Sequence, residues 1–570
     1  MGKEKKKRSK KRKILLVSLI ILGVLILAGG IVALVMYLKY LPVLKWKEKN
    51  DFMMTDTGFS LVGTTLTEEQ RLKDFDYMYD LVCLQNPKKE LFEQVYGVSY
   101  EEIYQQYRNY VLHAKTEYEY YSYLSFFLTV LPGEHNVMGL PSYIRMVTNG
   151  FNMTESFATQ EIKDYCYSWH EAFRDEVARY DDYGVIAFSY VDGKYIGIGS
   201  PGSKRKVVCD HAGGELISVD GKDPKDMCFE FLEIFHVCYD SGNDRFFRTN
   251  LIFNDGIGEK HTAEILMPDG SRMTMDIYED PGFDLALMEK ATAYPEMSAG
   301  SGEEVSSDKK VTDIWAADYV PHTYRIAEDA GRHLVYLDSY DCDLVEGERL
   351  VVDLYKAIEN ADADTVILDL RKNSGGDRDF CNKLLLPVLF SHDVEYSSKV
   401  IGKRNDYTKQ YYENDFYTIS MGRKQELDDE YFYYTETFNV EGKAKRDLKI
   451  YVLTSQTTFS SGDILTQLCS RYDKAVIVGT NTKGEGVSGS PFNCYLPESR
   501  FMFVYVPTIN MSFPEDSYYG TEPDVYIHFT VEEFIKRREL DAQGVDVDEY
   551  NERMAWDQTL LKVLEMADND

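Results

Sequence analysis

The stretch that most limits what this chain can fold into runs from Lys449 to Thr480. An apolar strand, Lys449–Ser455, leads through Thr458-Phe459-Ser460-Ser461-Gly462-Asp463 into a helical pattern, and a second apolar strand, Ala475–Thr480, follows. Strands alternating with helices build a parallel sheet, because parallel neighbours need a crossover of helical length. A serine where strand gives way to helix carries its hydroxyl at an exposed bend, beside backbone N–H groups able to hold a developing oxyanion. The plainer alternative is an N-cap, since Ser and Thr before an apolar run are the commonest caps, and local sequence alone favours it.

Neighbouring segments tilt the balance toward a nucleophile. Upstream, Asp364–Leu370 (DTVILDL) reads as a buried parallel strand and ends in Arg371-Lys372-Asn373-Ser374-Gly375-Gly376-Asp377, a glycine pair that lets backbone approach a bound group closely. Downstream, Asn481-Thr482-Lys483-Gly484-Glu485-Gly486 follows the second strand, and Gly520-Thr521-Glu522-Pro523-Asp524 closes the module. In this order the four motifs resemble those of the C-terminal processing peptidases and the related tricorn core proteases, over roughly Asp313 to Phe529. The resemblance implies a serine peptidase on a crotonase-like (ClpP/crotonase) α/β core, hydrolysing peptide bonds with water and no cofactor. It places the nucleophile on Ser460 and the oxyanion donors on the amides of Ser461, Gly375 and Gly376.

The base is less settled, because the resembled families divide. In the branch that uses a lysine, that position falls on Glu485, and only Lys483, on the same face of an extended strand, could replace it as the partner of a Ser-Lys dyad. In the tricorn-like branch a histidine comes from the N-terminal helical region. The aromatic run Tyr121–Val130 followed by Leu131-Pro132-Gly133-Glu134-His135-Asn136 resembles that segment, which makes His135 the expected base. Its alternative is an ordinary loop histidine among ten. The carboxylate that orients the imidazole falls on Ser517 in this chain, so Glu515, or else Asp516, would serve after a small loop shift. Glu485 and Ser517 are also what a catalytically silent relative, acting as a peptide- or ligand-binding surface protein, would carry.

The N-terminus bears on location. A basic tail, 1–13, precedes Ile14–Leu38, an uncharged run long enough to cross a bilayer as a helix with some tilt and longer than the apolar core of a cleaved signal. The tail should stay in the cytoplasm, leaving the bulk of the chain extracellular. Nine basic residues against one acidic in that tail, set against a net charge of −32 for the whole chain, leave −40 on everything beyond it. So acidic an ectodomain argues against nucleic acid as a partner, and the resemblance implies protein or peptide substrates. Nine cysteines without a CxxC pair or zinc spacing read as small buried apolar residues, and no metal site is expected.

Periodicity divides the remainder. After the transmembrane helix at 14–38, residues 39–180 form a helical N-terminal cap, with Glu68–Leu84 and the Tyr-rich Tyr100–Tyr123 as helices. Residues 181–290 turn to short strands and Asp-Gly hairpins, and Gly213-Gly214-Glu215-Leu216-Ile217-Ser218-Val219-Asp220-Gly221-Lys222 resembles the strand-turn-helix of a PDZ-like domain. A Ser/Gly/acid linker, 291–310, leads to the peptidase core, 311–540, and the C-terminal segment 541–570 holds an amphipathic helix, Asn551–Met566, with Trp556, Leu560, Val563 and Leu564 inward.

Overall fold

The computed structural model describes residues 65–130, 135–144, 160–198, 208–286, 324–404, 424–484, 492–506, 508–510 and 520–569, short gaps excepted, with scattered positions between 23 and 37. Most of the expected span 14–38, the tail before it and the linker 291–310 lie outside the described residues. Among the described residues no helix is long and apolar enough to cross a membrane.

The cap is helical. Helix α1 (Glu68–Tyr79) starts on a reciprocal capping box between Thr67 and Gln70, and its end widens into a π turn at Asp80–Leu84, where a plain helix was expected. The Tyr-rich stretch becomes two helices, α2 (Tyr100–His113) and α3 (Glu117–Val130), broken at Ala114, and α4 (Gln160–Ala178) completes the set. Tyr118 and every residue from Tyr120 through Val130 of α3 are buried. Such a helix must be surrounded, and the distant segment 494–505 packs into the same cluster, Phe501 against Tyr121 at 5.3 Å and Trp169 at 4.7 Å between ring centres. Asp74 of α1 fastens the contact, its carboxylate accepting the amides of Glu498 and Ser499 at 2.7 and 2.8 Å. After α3 comes a short strand, β1 (Val137–Met138).

The β-rich unit is a closed barrel of six strands: β2 (Val185–Val191), β3 (Lys194–Ile198), β4 (Glu215–Val219), β7 (Asn250–Asn254), β8 (Glu259–Leu266) and β9 (Arg272–Glu279), in the order β2-β3-β4-β8-β9-β7. A hairpin, β5 (Val237–Asp240) and β6 (Arg245–Arg248), stands outside it. The strand-turn of the PDZ-like phrase is present, but the helix expected after it is only a 3₁₀ turn, Pro224–Asp226. Proline at its first position and Asp223 as cap suit one turn and no more. Near the barrel rim His261 lies 2.8 Å from Asp220 and 3.7 Å from Glu279. Glu279 and Asp220 together outweigh burial and push its imidazolium up to about 9. The stability this charge contributes is therefore complete below about pH 6.5 and falls as pH rises through about 9. Thermal melts from pH 6 to 10 are expected to show that loss in the native chain and not in His261→Gln.

The core holds the site. Its six-stranded sheet, ordered β10-β11-β12-β16-β17-β21, begins with β10 (Tyr324–Asp329) antiparallel to β11 (Leu334–Ser339). All the remaining pairs are parallel. Helix α5 (Leu344–Asn360) crosses from β11 to β12 (Thr365–Asp369), and a π turn and α6 (Leu386–Leu389) follow. A side sheet contains β13 (Val394–Lys403), β14 (Lys424–Leu427) and β15 (Tyr431–Val440). Then come β16 (Lys449–Thr454), α7 (Ser461–Asp473), β17 (Val476–Gly479), the hairpin β18 (Phe492–Tyr495) and β19 (Met502–Tyr505), β20 (Thr508–Asn510) on the side sheet, and β21 (Val525–Tyr526). Alternate residues serve opposite faces. Val335, Leu337, Val366, Leu368 and Val452 meet α5 and α7, while Leu334, Tyr336, Ile367, Tyr451 and Leu453 meet the C-terminal helix, which is why these strands read as unbroken apolar runs.

Helix α8 (Val531–Ala542) precedes a C-terminal segment that is not one helix. It is α9 (Tyr550–Arg553) and α10 (Gln558–Asn569), interrupted at 554–557 because Asp557 leaves helical geometry to cap α10, accepting the Leu560 amide at 3.0 Å, and to face Arg371. Trp556, Leu560, Val563 and Leu564 are buried as expected. The eight described cysteines are buried and unbridged.

Candidate active site

Four chain segments converge at the C-terminal ends of β12 and β16, the edge of a parallel sheet at which ligands bind. Ser460 stands between β16 and α7 with φ 54° and ψ −117°, a conformation that costs a non-glycine residue on the order of 1–3 kcal/mol and persists only where surroundings enforce it. They do. The Ser460 amide donates to the Gly484 carbonyl at 2.9 Å, and the Phe459 amide to the Asn373 carbonyl at 2.9 Å. Ser460 is the N-cap residue of α7 by position, yet its hydroxyl makes no capping bond. Its Oγ lies 3.1 Å from His135 Nε2 instead.

His135 arrives from 325 residues upstream by way of a short β ladder. Strand β1 pairs antiparallel with β19, Val137 opposite Val504 and Met138 opposite Phe503. The Gly139 amide donates to Met502 O at 2.8 Å and the Val506 amide to Asn136 Oδ1 at 3.3 Å. The imidazole leans on the Phe459 ring, 4.7 Å between centres.

The glycine turn abuts the serine. Gly375 has φ +90°, and a Cβ there would come within 2.7 Å of both Ser460 Cβ and the Phe459 carbonyl. The Gly375 amide is not available to an oxyanion, because it donates to Asn373 Oδ1 at 2.9 Å. Asn373 turns back because its own amide group donates to Ser339 O at 3.1 Å, fixing its orientation. Among the described residues the amides of Gly376 and Ser461 carry no acceptor, which corrects the expected trio to a pair. The Ser461 hydroxyl is engaged, donating to Gly376 O at 2.8 Å. Alanine at Gly375 is expected to push Ser460 off its place and to lower kcat by about 10²-fold, the scale of a 1 Å misplacement, measured against a melt showing the variant folded.

Of the other expected residues, Lys483 rests its ammonium 5.3 Å from the centre of the Phe459 ring, on which His135 also packs. Glu485, Glu515, Asp516 and Ser517 lie outside the described residues. Sequence reasoning missed Asn373, Phe459 and Asp463. An acid three residues into a helix behind a serine is a capping-box signal, and it was the available clue for Asp463.

A hydroxyl in reach of an imidazole, next to two amides that have no acceptor among the described residues, is equipment for acyl transfer. The chain carries a serine-type peptidase. Residues 336–527 match the model of Peptidase family S41. No curated protein matches. Among solved structures it is similar to mature CPAF complexed with lactacystin (15% identity, covering 89% of this chain and 100% of that one, TM-score 0.48). It is also similar to the photosystem II D1 C-terminal processing protease (11%, 82% and 94%, TM-score 0.34) and to the tricorn protease (14%, 84% and 37%, TM-score 0.30).

Proposed function

We propose that this chain is a membrane-anchored endopeptidase working outside the cytoplasm, with Ser460 as nucleophile, His135 as general base, and the Gly376 and Ser461 amides as oxyanion donors on a crotonase-like core. The 3.1 Å approach of Ser460 Oγ to His135 Nε2 carries this reading, since two side chains so far apart in sequence meet only if the fold is built to bring them together. His135 takes the hydroxyl proton as Oγ attacks the peptide carbonyl. It returns that proton to the leaving amine, and water repeats the cycle on the acyl-enzyme. The substrate is a protein or peptide, and the uncharged run 14–38 serves as the anchor. The unit 181–290 acts as a PDZ-like module beside the core.

A fluorophosphonate probe on the purified ectodomain tests the assignment. Labelling is expected to vanish in Ser460→Ala and to survive in Ser461→Ala, whose hydroxyl only donates to Gly376 O. Labelling that persists in Ser460→Ala overturns it.

A further inference from the structure

The acid at the third position of a helix ordinarily reaches back to the N-cap amide, completing a capping box. Asp463 occupies that position in α7, and the Ser460 amide is bonded elsewhere, to Gly484 O. The Asp463 side chain is fully buried. Its Oδ1 accepts the Thr482 hydroxyl at 2.7 Å and the Thr521 hydroxyl at 2.5 Å, and its Oδ2 accepts the Gln467 amide at 3.0 Å. Burying a carboxylate costs several kcal/mol unless donors surround it, so a position where an apolar residue would pack invites a reason.

That reason is visible in what the two threonines hold. Thr482 sits two residues before Gly484, whose carbonyl carries the Ser460 amide, and Lys483 between them donates its amide to Thr458 O at 2.8 Å. The segment 481–484 thus lies across the turn that presents Ser460, forming a bridge between Phe459 and Gly484. Thr521 closes the second loop onto the first, its amide donating to Thr482 Oγ1 at 2.6 Å while the Thr482 amide donates to Thr521 O at 3.1 Å. One carboxylate on α7 therefore fixes both loops, and through Gly484 it fixes the strained backbone of Ser460.

We infer that Asp463 is a positioning residue for the nucleophile: it does by way of Thr482, Thr521 and Gly484 what a capping box would do directly, and so leaves the Ser460 hydroxyl free for His135. The usual cap would compete with chemistry, because an N-cap serine spends its oxygen on the second or third helical amide. Here the cap amide is satisfied from outside the helix and the hydroxyl keeps its reach. This inference rests on Ser460 being the nucleophile.

The test measures the second-order rate of fluorophosphonate labelling per folded molecule, together with kcat and KM for an activated ester such as p-nitrophenyl acetate. Asp463→Ala is expected to slow labelling and kcat by about 10²-fold with KM changed less than about twofold, the signature of a displaced reacting atom and not of lost binding. Asp463→Asn is expected to recover much of that rate, since an amide oxygen still accepts both threonine hydroxyls and the Gln467 amide can turn to match. Thr482→Val with Thr521→Val is expected to reproduce the loss, and adding Asp463→Ala to that pair should lower the rate no further. Should Asp463→Ala fail to fold, the threonine pair decides. Wild-type labelling rates in folded Asp463→Ala or in the threonine pair, whatever the shift in melting temperature, overturn the inference and leave Ser460 as nucleophile. Labelling that survives Ser460→Ala removes the premise instead.

Discussion

Alanine at Ser460 or at His135 is expected to cost roughly a million-fold in kcat, and the double variant no more than either alone. In the proposed mechanism the two side chains work as one unit: without the imidazole the hydroxyl keeps its proton, and without the hydroxyl the imidazole has nothing to activate. Their 3.1 Å separation is within the range for a proton-transferring pair. What remains is expected to be the background that oxyanion donors and binding supply, about 10³–10⁴-fold over water. Single-turnover hydrolysis of an activated ester by each variant measures this. Lys483→Met provides the contrast, because an ammonium resting on the Phe459 ring is expected to change the rate by less than tenfold if His135 is the base. A Lys483→Met loss as deep as that of His135→Ala would instead mark a Ser-Lys dyad.

Arg553→Ala is expected to lower unfolding free energy by about 3–5 kcal/mol, the cost of leaving buried carboxylates without their counter-ion. Arg553 is 3% exposed. Its guanidinium reaches Asp338 at 2.9 Å, Asp548 and Asp557 at 3.2 Å and Asp369 at 3.3 Å, joining the ends of β11 and β12 to the C-terminal helices. Arg371 closes the group from the loop that leads to Gly375, 2.6 Å from both Asp369 and Asp557. Burial pushes the Asp369 carboxyl up, and Arg371 and Arg553 more than reverse it, holding that group well below the usual carboxylate range. Asp338, with one oxygen unpartnered, is pushed by burial up to about 6. Denaturant melts of the protein measure the loss. Because the network backs the Arg371–Gly376 loop, a folded Arg553→Lys variant is expected to lose stability first and activity second, lysine lacking the planar fork that serves four carboxylates at once.

Much of the core was legible because its physics is local. Unbroken apolar runs at Asp364–Leu370 and Lys449–Ser455 announce strands covered on both faces, and Thr365–Asp369 and Lys449–Thr454 are those strands. Ser460 was legible as a bend, since strand, small residues and helix follow one another directly. The C-terminal helix was legible only as a pattern. Its apolar side was right, but the break at 554–557 depends on Asp557 finding Arg371, a partner nothing in the local sequence announces. The PDZ-like phrase was legible in part, its strand and turn present and a 3₁₀ turn at Pro224–Asp226 standing directly after them.

The glycine turn beside Ser460 shows the limit most plainly. Glycines at 375 and 376 could be read from the motif, but which amide is free was decided by Asn373, whose side chain is turned by Ser339 on a neighbouring strand and then occupies Gly375. The sequence by itself determined the strands, the bend and the residue types gathered around it, because periodicity and backbone preference act over a few residues. Only the tertiary structure decided that Ser460 meets His135 instead of capping its helix, since that contact depends on β1 pairing with β19 across the whole chain. Hydrogen-bond partners separated by hundreds of residues are chosen by packing, and packing leaves no periodic trace.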